Sequence, residues 1–134
     1  MSDYIPHSGD RNTVRKFTWG QLWRIKKLAD KAWAATRALY PNASFEDDHA
    51  DAYRHAYWSA LMTTHLGPSI AKYVGDQHEN VEDNPADRKE MDLFNNHLGR
   101  QIALANMRGS DEDLQTACRN AVAQGRAKVI RPSS

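Results

Sequence analysis

Apolar side chains recur every three or four residues along most of this 134-residue chain, and no paired segments alternate apolar and polar residues as strands do. Pro41 and the pair Gly67-Pro68 separate the helical stretches, because proline stops one helix and is tolerated in the first turn of the next. The pattern predicts an all-α fold, a compact bundle of about five helices with a short extended C-terminal tail over residues 127–130.

Side chains that can cap a helix mark the predicted starts. Thr18 and Gln21 have the spacing of a capping box, and this first helix is predicted to run to about Tyr40. Ser110 and Asp113 repeat that spacing at the start of the last helix. Two further caps are predicted, the first at Asp47 or Asp48 and the second at Asn84.

Two packing predictions follow from the side chains within these helices. Ala52, Ala56 and Ala60 lie four apart and give the second helix a narrow stripe of small residues, where another helix can approach closely. Trp19 and Trp23 are bulky and aromatic, and they are predicted to belong to the core.

The length of the chain suits one domain. Residues 1–17 are polar and are predicted to be a flexible arm or linker, which leaves residues 18–134 as a single helical domain. Cys118 is the single cysteine, so no disulfide framework exists, and it is predicted to be a small core residue. The N-terminus lacks a signal-peptide pattern. Export, if it happens, must therefore use another carrier, or the domain is a piece of something longer, and a cytoplasmic protein is the alternative.

Charge is unevenly distributed, although the formal net charge is only +1. The middle of the chain, from Glu46 to Asp92, is rich in acids and contains four of the six histidines. A basic rim around this centre suits an anionic substrate and a metal ion, and ordinary solvated helix faces are the alternative interpretation. The N-terminal basic residues are Arg11, Arg15, Lys16, Arg24, Lys26 and Lys27.

The predicted second helix carries charged side chains among aromatic ones. Asp51 and His55 lie four residues apart and share one face of the helix. A carboxylate one turn away fixes the tautomer of a histidine and raises its basicity. We predict that both are catalytic and that Arg54 and Trp58, which lie beside them, bind the substrate. A helix-surface ion pair of little energetic value is the alternative.

Asp92, Asn96 and Arg100 recur one turn apart along the edge of the predicted fourth helix. Such a ladder can orient a catalytic histidine, hold a metal ligand, or bind a phosphate or carboxyl group. We predict that Asp92 is catalytic and that Asn96 and Arg100 bind substrate. A self-satisfied network that joins helices is the alternative.

Asp76, His78 and Glu79 lie near the predicted end of the third helix. An acid, an imidazole and a second acid are sufficient ligand types for zinc, manganese or magnesium. These three are therefore candidate ligands of a divalent metal ion, and an exposed helix end is the alternative. The sequence has no glycine-rich phosphate loop, no Gly-x-Ser-x-Gly elbow and no cysteine ligand cluster.

Three motifs together carry a resemblance to a known family. They are Asp51-Ala-Tyr-Arg54-His55-Ala-Tyr-Trp58, Gly75-Asp76-Gln-His78-Glu79 and Met91-Asp92-Leu-Phe-Asn95-Asn96-His-Leu-Gly99-Arg100. Over roughly residues 45–130 the chain resembles an uncharacterised α-helical domain family of bacteria, found at the C-terminal ends of secreted polymorphic toxins and contact-dependent effectors. The resemblance implies an antibacterial effector domain that is secreted or delivered into a target cell without a classical signal peptide. It also implies two partners, a carrier or delivery domain and a cognate immunity protein.

Arg54-His55 and Asp92 also resemble prokaryotic phospholipase A2. In that family an Arg-His-Asp run on one helix pairs with an Asp on another helix, and calcium sits beside the histidine. Here Ala56 occupies the position of the calcium-binding Asp, and the cysteine pairs and glycine-rich calcium loop are missing.

These observations predict a toxin-type hydrolase that acts on a phosphodiester or a phospholipid. Two other classes stay open. The first is a non-enzymatic helical adaptor, whose polar residues only hold the bundle together. The second is a nucleic-acid binder that uses the basic N-terminal helix. If Asp51, His55, Asp92 and Asn96 open into one cleft, the enzyme interpretation gains support. If they point to different faces, it fails.

Overall fold

The computed structural model of the protein describes residues 10–80 and 84–131, which form six α-helices and no strand. The all-α prediction is therefore confirmed. The helices are α1 (Asp10–Lys16), α2 (Trp19–Leu39), α3 (His49–Leu66), α4 (Pro68–Glu79), α5 (Ala86–Ala105) and α6 (Asp111–Ala123). None of these helices is long and apolar enough to cross a membrane.

Side-chain hydrogen bonds start three helices where the sequence predicts them. Both capping boxes form, and in them the side chain of Thr18 accepts from the N–H of Gln21 and that of Ser110 from the N–H of Asp113. At the start of α3 the side chain of Asp48 accepts from the backbone N–H three residues later.

The side-chain cap predicted at Asn84 is wrong. Pro85 is the residue that precedes α5, and it makes no side-chain cap hydrogen bond. Nδ2 of Asn84 instead donates to the backbone oxygen of Glu79, at 3.0 Å. The side chain therefore serves the end of α4, where unpaired carbonyl groups need donors, rather than the start of α5.

Helix α3 is the centre of the bundle and packs against α2, α4, α5 and α6. Its stripe of small residues, Ala52, Ala56 and Ala60, is fully buried. Helix α5 crosses this stripe at Gly99, where an added Cβ would lie 2.0 Å from the backbone oxygen of Ala56. The two helix backbones are in direct contact, which confirms the close approach predicted from the alanine spacing.

A sixth helix lies within the segment predicted to be a flexible arm. Helix α1 packs against α4, and its buried Asp10 faces His78, with 3.1 Å between Oδ2 and Nδ1. The predicted number of helices was one too few because a helix of 7 residues is too short to show an apolar period. Residues 1–9 of the predicted arm lie outside the described residues.

Trp19 and Trp23 lie outside the core, so that prediction was wrong. Helix α2 buries Ile25, Ala29 and Ala32, whereas the two indoles are 83% and 62% exposed. At about 100° per residue, Trp19 and Trp23 lie roughly 110° and 150° around the helix axis from the centre of the three buried residues. The prediction used side-chain size, but burial depends on position around the helix axis.

The backbone of the tail after α6 is hydrogen-bonded to the side chain of Asn95 and to the backbone of Asp47. Buried Asn95 donates to the carbonyl of Lys128 and accepts from its N–H, both at 2.9 Å. The N–H groups of Ile130 and Arg131 donate to the backbone oxygen of Asp47, at 3.2 and 2.8 Å. The tail therefore connects α5 to the loop before α3. Residues 132–134 lie outside the described residues.

Replacing Asn95 by alanine is expected to lower the free energy of unfolding by about 2 kcal/mol, because two hydrogen bonds and a buried side chain are lost. Urea denaturation measures this change, and limited proteolysis should cleave the variant sooner near residue 128. Asn106→Ala is the control and should cost less, because it removes a single 2.7 Å hydrogen bond, from the residue after α5 to the backbone oxygen of Ile102. An unchanged free energy for Asn95→Ala would contradict this role for Asn95.

Candidate functional site

Four predicted site residues surround the imidazole of His55. Nε2 lies 3.4 Å from Oδ1 of Asp51 on the same helix and 3.3 Å from Oδ1 of Asp92 on α5. Nδ1 lies 3.3 Å from Oδ1 of Asn96 and 3.8 Å from Oε2 of Glu79, which comes from α4. All five residues are buried, and together they are called the histidine–carboxylate cluster below.

Two helical glycines let the three helices approach closely enough to build this cluster. Gly99 brings α5 against the backbone of Ala56, one residue after His55. Gly75 brings α4 against α5, since an added Cβ there would lie 3.1 Å from Nδ2 of Asn96. Glu79 follows Gly75 by one helical turn and so faces the same region. Sequence analysis included both glycines in its motifs but missed their role, although a glycine inside a helix is itself a signal of close packing.

Asp51 is the best supported carboxylate of the cluster. The N–H of Asp47 donates to its Oδ2 at 2.8 Å, and Nη2 of Arg54 donates to its Oδ1 at 2.9 Å. The guanidinium of Arg54 also lies over the ring of Trp33, 4.9 Å from the ring centroid. Burial acts to raise the pKa of Asp51, but the contact with His55 and the charge of Arg54 hold it below its usual range. Arg54, predicted to bind substrate, is therefore occupied in fixing Asp51.

The loop before α3 presents the backbone of Asp47 to the cluster. Phe45 and Asp47 have positive φ angles of 63° and 60°, a conformation that non-glycine residues rarely adopt. The loop is fixed by a hydrogen bond from the N–H of Phe45 to Oδ2 of Asp48, at 3.2 Å. On its other side, Nε of Arg88 lies 2.6 Å from the carboxylate of Asp47. Sequence analysis missed this contribution because the backbone of Asp47 makes it.

The cluster has more carboxyl groups than nearby positive charge. Burial acts to lower the pKa of His55, but the carboxylates of Asp92 and Asp51 raise it to about 9. Burial and the negative charge of Asp92 raise the pKa of Glu79, although His55 opposes this shift. Without a bound metal ion the imidazole is therefore protonated at neutral pH, and the carboxyl of Glu79 holds its proton more tightly than an exposed glutamate does.

Three acceptor atoms of the cluster converge on one point. Nε2 of His55 and carboxylate oxygens of Asp51 and Asp92 lie within 4.8 Å of one another, a spacing at which all three can bind one metal ion. Oδ1 of Asp92 is buried and has no hydrogen-bond partner. Because Oδ1 of Asn96 can only accept, Nδ1 carries a hydrogen, and Nε2 faces the carboxylates. This arrangement requires positive charge between the three atoms, either a proton on Nε2 or a metal ion.

The predicted ligand set of Asp76, His78 and Glu79 is not brought together. Asp76 forms an ion pair at the surface with Lys72, at 2.5 Å. His78 packs edge-on against Trp58, with 5.3 Å between the ring centroids, and only Glu79 reaches the cluster. Neighbouring helix positions point about 100° apart, so His78 and Glu79 face different parts of the bundle. Trp58, predicted to contact substrate, is buried in the core beside His78.

Arg100 lies one helical turn beyond Asn96, away from the imidazole. Its side chain is nine-tenths buried, and Nη1 has no hydrogen-bond partner. Together with Lys72 and Lys89 it lines a surface depression of about 440 Å³. Burial lowers the pKa of Arg100, whereas the negative charge of Asp76, which lines the same depression, acts to raise that pKa. Three basic side chains and one acid line the depression, which makes it a candidate surface for an anion.

Comparison with known proteins places the chain in a family. No curated protein matches the chain, and no solved structure does. The model of a domain of unknown function, DUF6973, matches residues 14–126, a range that includes helices α2 to α6 and every residue of the histidine–carboxylate cluster. The chain belongs to the DUF6973 family.

Proposed function

We propose that the histidine–carboxylate cluster binds a divalent metal ion and hydrolyses a phosphate ester, either a phosphodiester or a phospholipid. The observation that carries the proposal is the convergence of Nε2 of His55 with carboxylate oxygens of Asp51 and Asp92 on one buried point. Three protein ligands leave a coordination position for water, as hydrolytic metal sites require. The side chain of Asp92 retains 12% of its exposure, which offers a route for water.

The remaining cluster residues have roles that follow from their positions. One imidazole and two carboxylates suit Mn²⁺ or Zn²⁺. Asn96 accepts from Nδ1 of His55 and so fixes the ring with Nε2 towards the ion. Glu79, with Oε2 3.8 Å from Nδ1 of His55, is the nearest further carboxyl group, and in its ionised form it would serve as the general base for water.

A phosphate ester is the substrate class that the basic residues support. Arg100 follows Asp92 and Asn96 along the same edge of α5, and its Nη1, which has no hydrogen-bond partner, can bind a phosphate oxygen. The resemblance to C-terminal domains of secreted toxins supports an antibacterial setting. In that setting a carrier domain delivers the hydrolase into a target cell, and a cognate immunity protein blocks it.

A non-enzymatic helical adaptor is the second candidate. The pKa of about 9 for His55 favours it, since an imidazolium alone can supply the positive charge that Asp51 and Asp92 require. In that case the cluster is a buried ion-pair network that holds α3 against α5.

Metal titration separates the two candidates. We expect calorimetry to show one Mn²⁺ or Zn²⁺ bound per chain, and Asp92→Asn to weaken that binding at least about tenfold, because a ligand charge is lost while the side-chain shape is kept. Asp87→Asn, an exposed position on the same helix, is the control and should bind as the wild type does.

The bound ion is then tested for chemistry with a synthetic aryl phosphodiester and with phosphatidylglycerol vesicles. Hydrolysis that needs the ion and falls in Asp92→Asn supports the proposal and identifies the substrate type. Equal metal affinity in the wild type and Asp92→Asn, or no binding in either, overturns the proposal and leaves the adaptor.

A further inference from the structure

The N-terminal part of the bundle, α1 and the first turns of α2, carries exposed apolar side chains and many basic residues. Val14, Trp19 and Trp23 project from it with 51%, 83% and 62% of their surface exposed. Trp19 and Trp23 are one turn apart on the outer face of α2, and Lys27 continues that face. The name tryptophan ridge is used below for Val14, Trp19 and Trp23 together with the six basic residues between positions 11 and 29.

The ridge is entirely basic in its charge. Residues 11–29 include no aspartate or glutamate and contain six basic residues, namely Arg11, Arg15, Lys16, Arg24, Lys26 and Lys27. Lys26 pairs with Asp30 and Arg24 donates to a backbone oxygen of α3. Two of the others lie over aromatic rings, Lys16 over Tyr73 and Lys27 over Trp23. The positive charge of the ridge is therefore largely uncompensated within the part of the chain that the structure describes.

We propose that the tryptophan ridge docks the protein on the surface of an anionic phospholipid bilayer. Tryptophan is favoured at the membrane–water interface because its ring is apolar and its N–H is polar. An aliphatic side chain such as Val14 inserts among acyl chains, and lysine and arginine bind anionic headgroups. Each basic residue near an anionic bilayer strengthens binding about fivefold. The positive charge and the exposed apolar residues of the ridge thus both match the surface of an anionic bilayer.

Single-stranded nucleic acid is the competing partner, and the geometry disfavours it. Such strands are bound in basic grooves, where the bases stack on aromatic rings that line the groove. The two indoles here project from the convex side of a helix, and Trp19 is 83% exposed. Val14 offers no stacking surface. The proposal goes beyond the histidine–carboxylate cluster and does not depend on it, because binding can be measured without hydrolysis.

Vesicle co-sedimentation of the full chain tests the proposal. We expect binding to vesicles of equal phosphatidylglycerol and phosphatidylcholine, weak binding to pure phosphatidylcholine, and loss of binding in high salt. The double variant Trp19→Ser/Trp23→Ser should bind at least about tenfold more weakly, since both interfacial anchors are removed. Its far-UV circular dichroism should be unchanged because neither side chain is in the core.

The control is Leu104→Ser/Met107→Ser, which removes two apolar side chains exposed to 46% and 52% elsewhere on the surface. It should bind the anionic vesicles as the wild type does. No sedimentation of the wild type with anionic vesicles, or equal binding by the double tryptophan variant, overturns the proposal. Tryptophan-dependent binding of single-stranded DNA without vesicle binding assigns the ridge to nucleic acid instead.

Discussion

Replacing His55 by glutamine is expected to lower metal-dependent hydrolysis of a phosphodiester by at least about 100-fold. Glutamine has a similar size, but its amide nitrogen cannot bind a metal ion or titrate as the Nε2 of His55 does, which lies 3.4 and 3.3 Å from the carboxylates of Asp51 and Asp92. The measurement is the initial rate per folded molecule, with the folded fraction taken from circular dichroism. Loss of rate in a fully folded variant is the result that a structural role alone does not produce.

The matched control for this substitution is His65→Gln. His65 lies near the end of the same helix, is partly exposed, and pairs with Asp111 at 2.8 Å, away from the cluster. It should keep the wild-type rate. If His55→Gln retains more than about a tenth of the rate, or if both variants lose the same fraction, the role proposed for His55 is incorrect.

Replacing Gly99 by alanine is expected to lower the free energy of unfolding by about 3 kcal/mol or more. The added Cβ would lie 2.0 Å from the backbone oxygen of Ala56, so α3 and α5 must move apart rather than let a side chain rotate. A loss of this size is a large part of the stability of a small domain. Urea denaturation measures it directly, and the metal affinity should fall with it because the separation also moves Asp92.

Gly20→Ala serves as the comparison, since it is the same substitution in a helix with open space around it. The nearest atom to its added Cβ is Oγ1 of Thr18, at 4.0 Å. Alanine has the higher helix propensity, so this variant should be more stable by about 0.5–1 kcal/mol. If the free energy of unfolding falls for Gly99→Ala and rises for Gly20→Ala, the loss at Gly99 is due to the contact between α3 and α5. Equal effects contradict that assignment.

Local sequence patterns predicted the helices well because they depend on neighbours along the chain. The capping boxes at Thr18 and Ser110 and the buried alanine stripe of α3 all involve residues at most a few turns apart. The cap at Asn84 was wrong, since the nearest acceptor belongs to the preceding helix. Whether Trp19 is exposed depends on which side of α2 faces the core, and the buried residues of the helix define that side.

The site was predictable in part for the same reason. The one-turn spacing of Asp51 and His55 indicated a pair, and so did that of Asp92 and Asn96. That the two pairs face each other depends on how α3 and α5 cross, which residue spacing along either helix does not determine. His78 was grouped with Glu79 by proximity in sequence, but it faces α1 instead.

The hydrogen bonds of Asp47 have a consequence for the order in which the site forms during synthesis. Its carbonyl accepts from Ile130 and Arg131, while its N–H donates to Asp51 in the cluster. The ribosome makes α3, α4 and α5 well before residues 130 and 131, so the support of Asp51 is completed late in translation. Proteolytic cleavage of the tail has the same effect on Asp47, because it removes the two hydrogen-bond donors to its carbonyl and leaves every cluster residue in place. Nascent and truncated chains therefore have all five cluster side chains but a less firmly positioned carboxylate at Asp51.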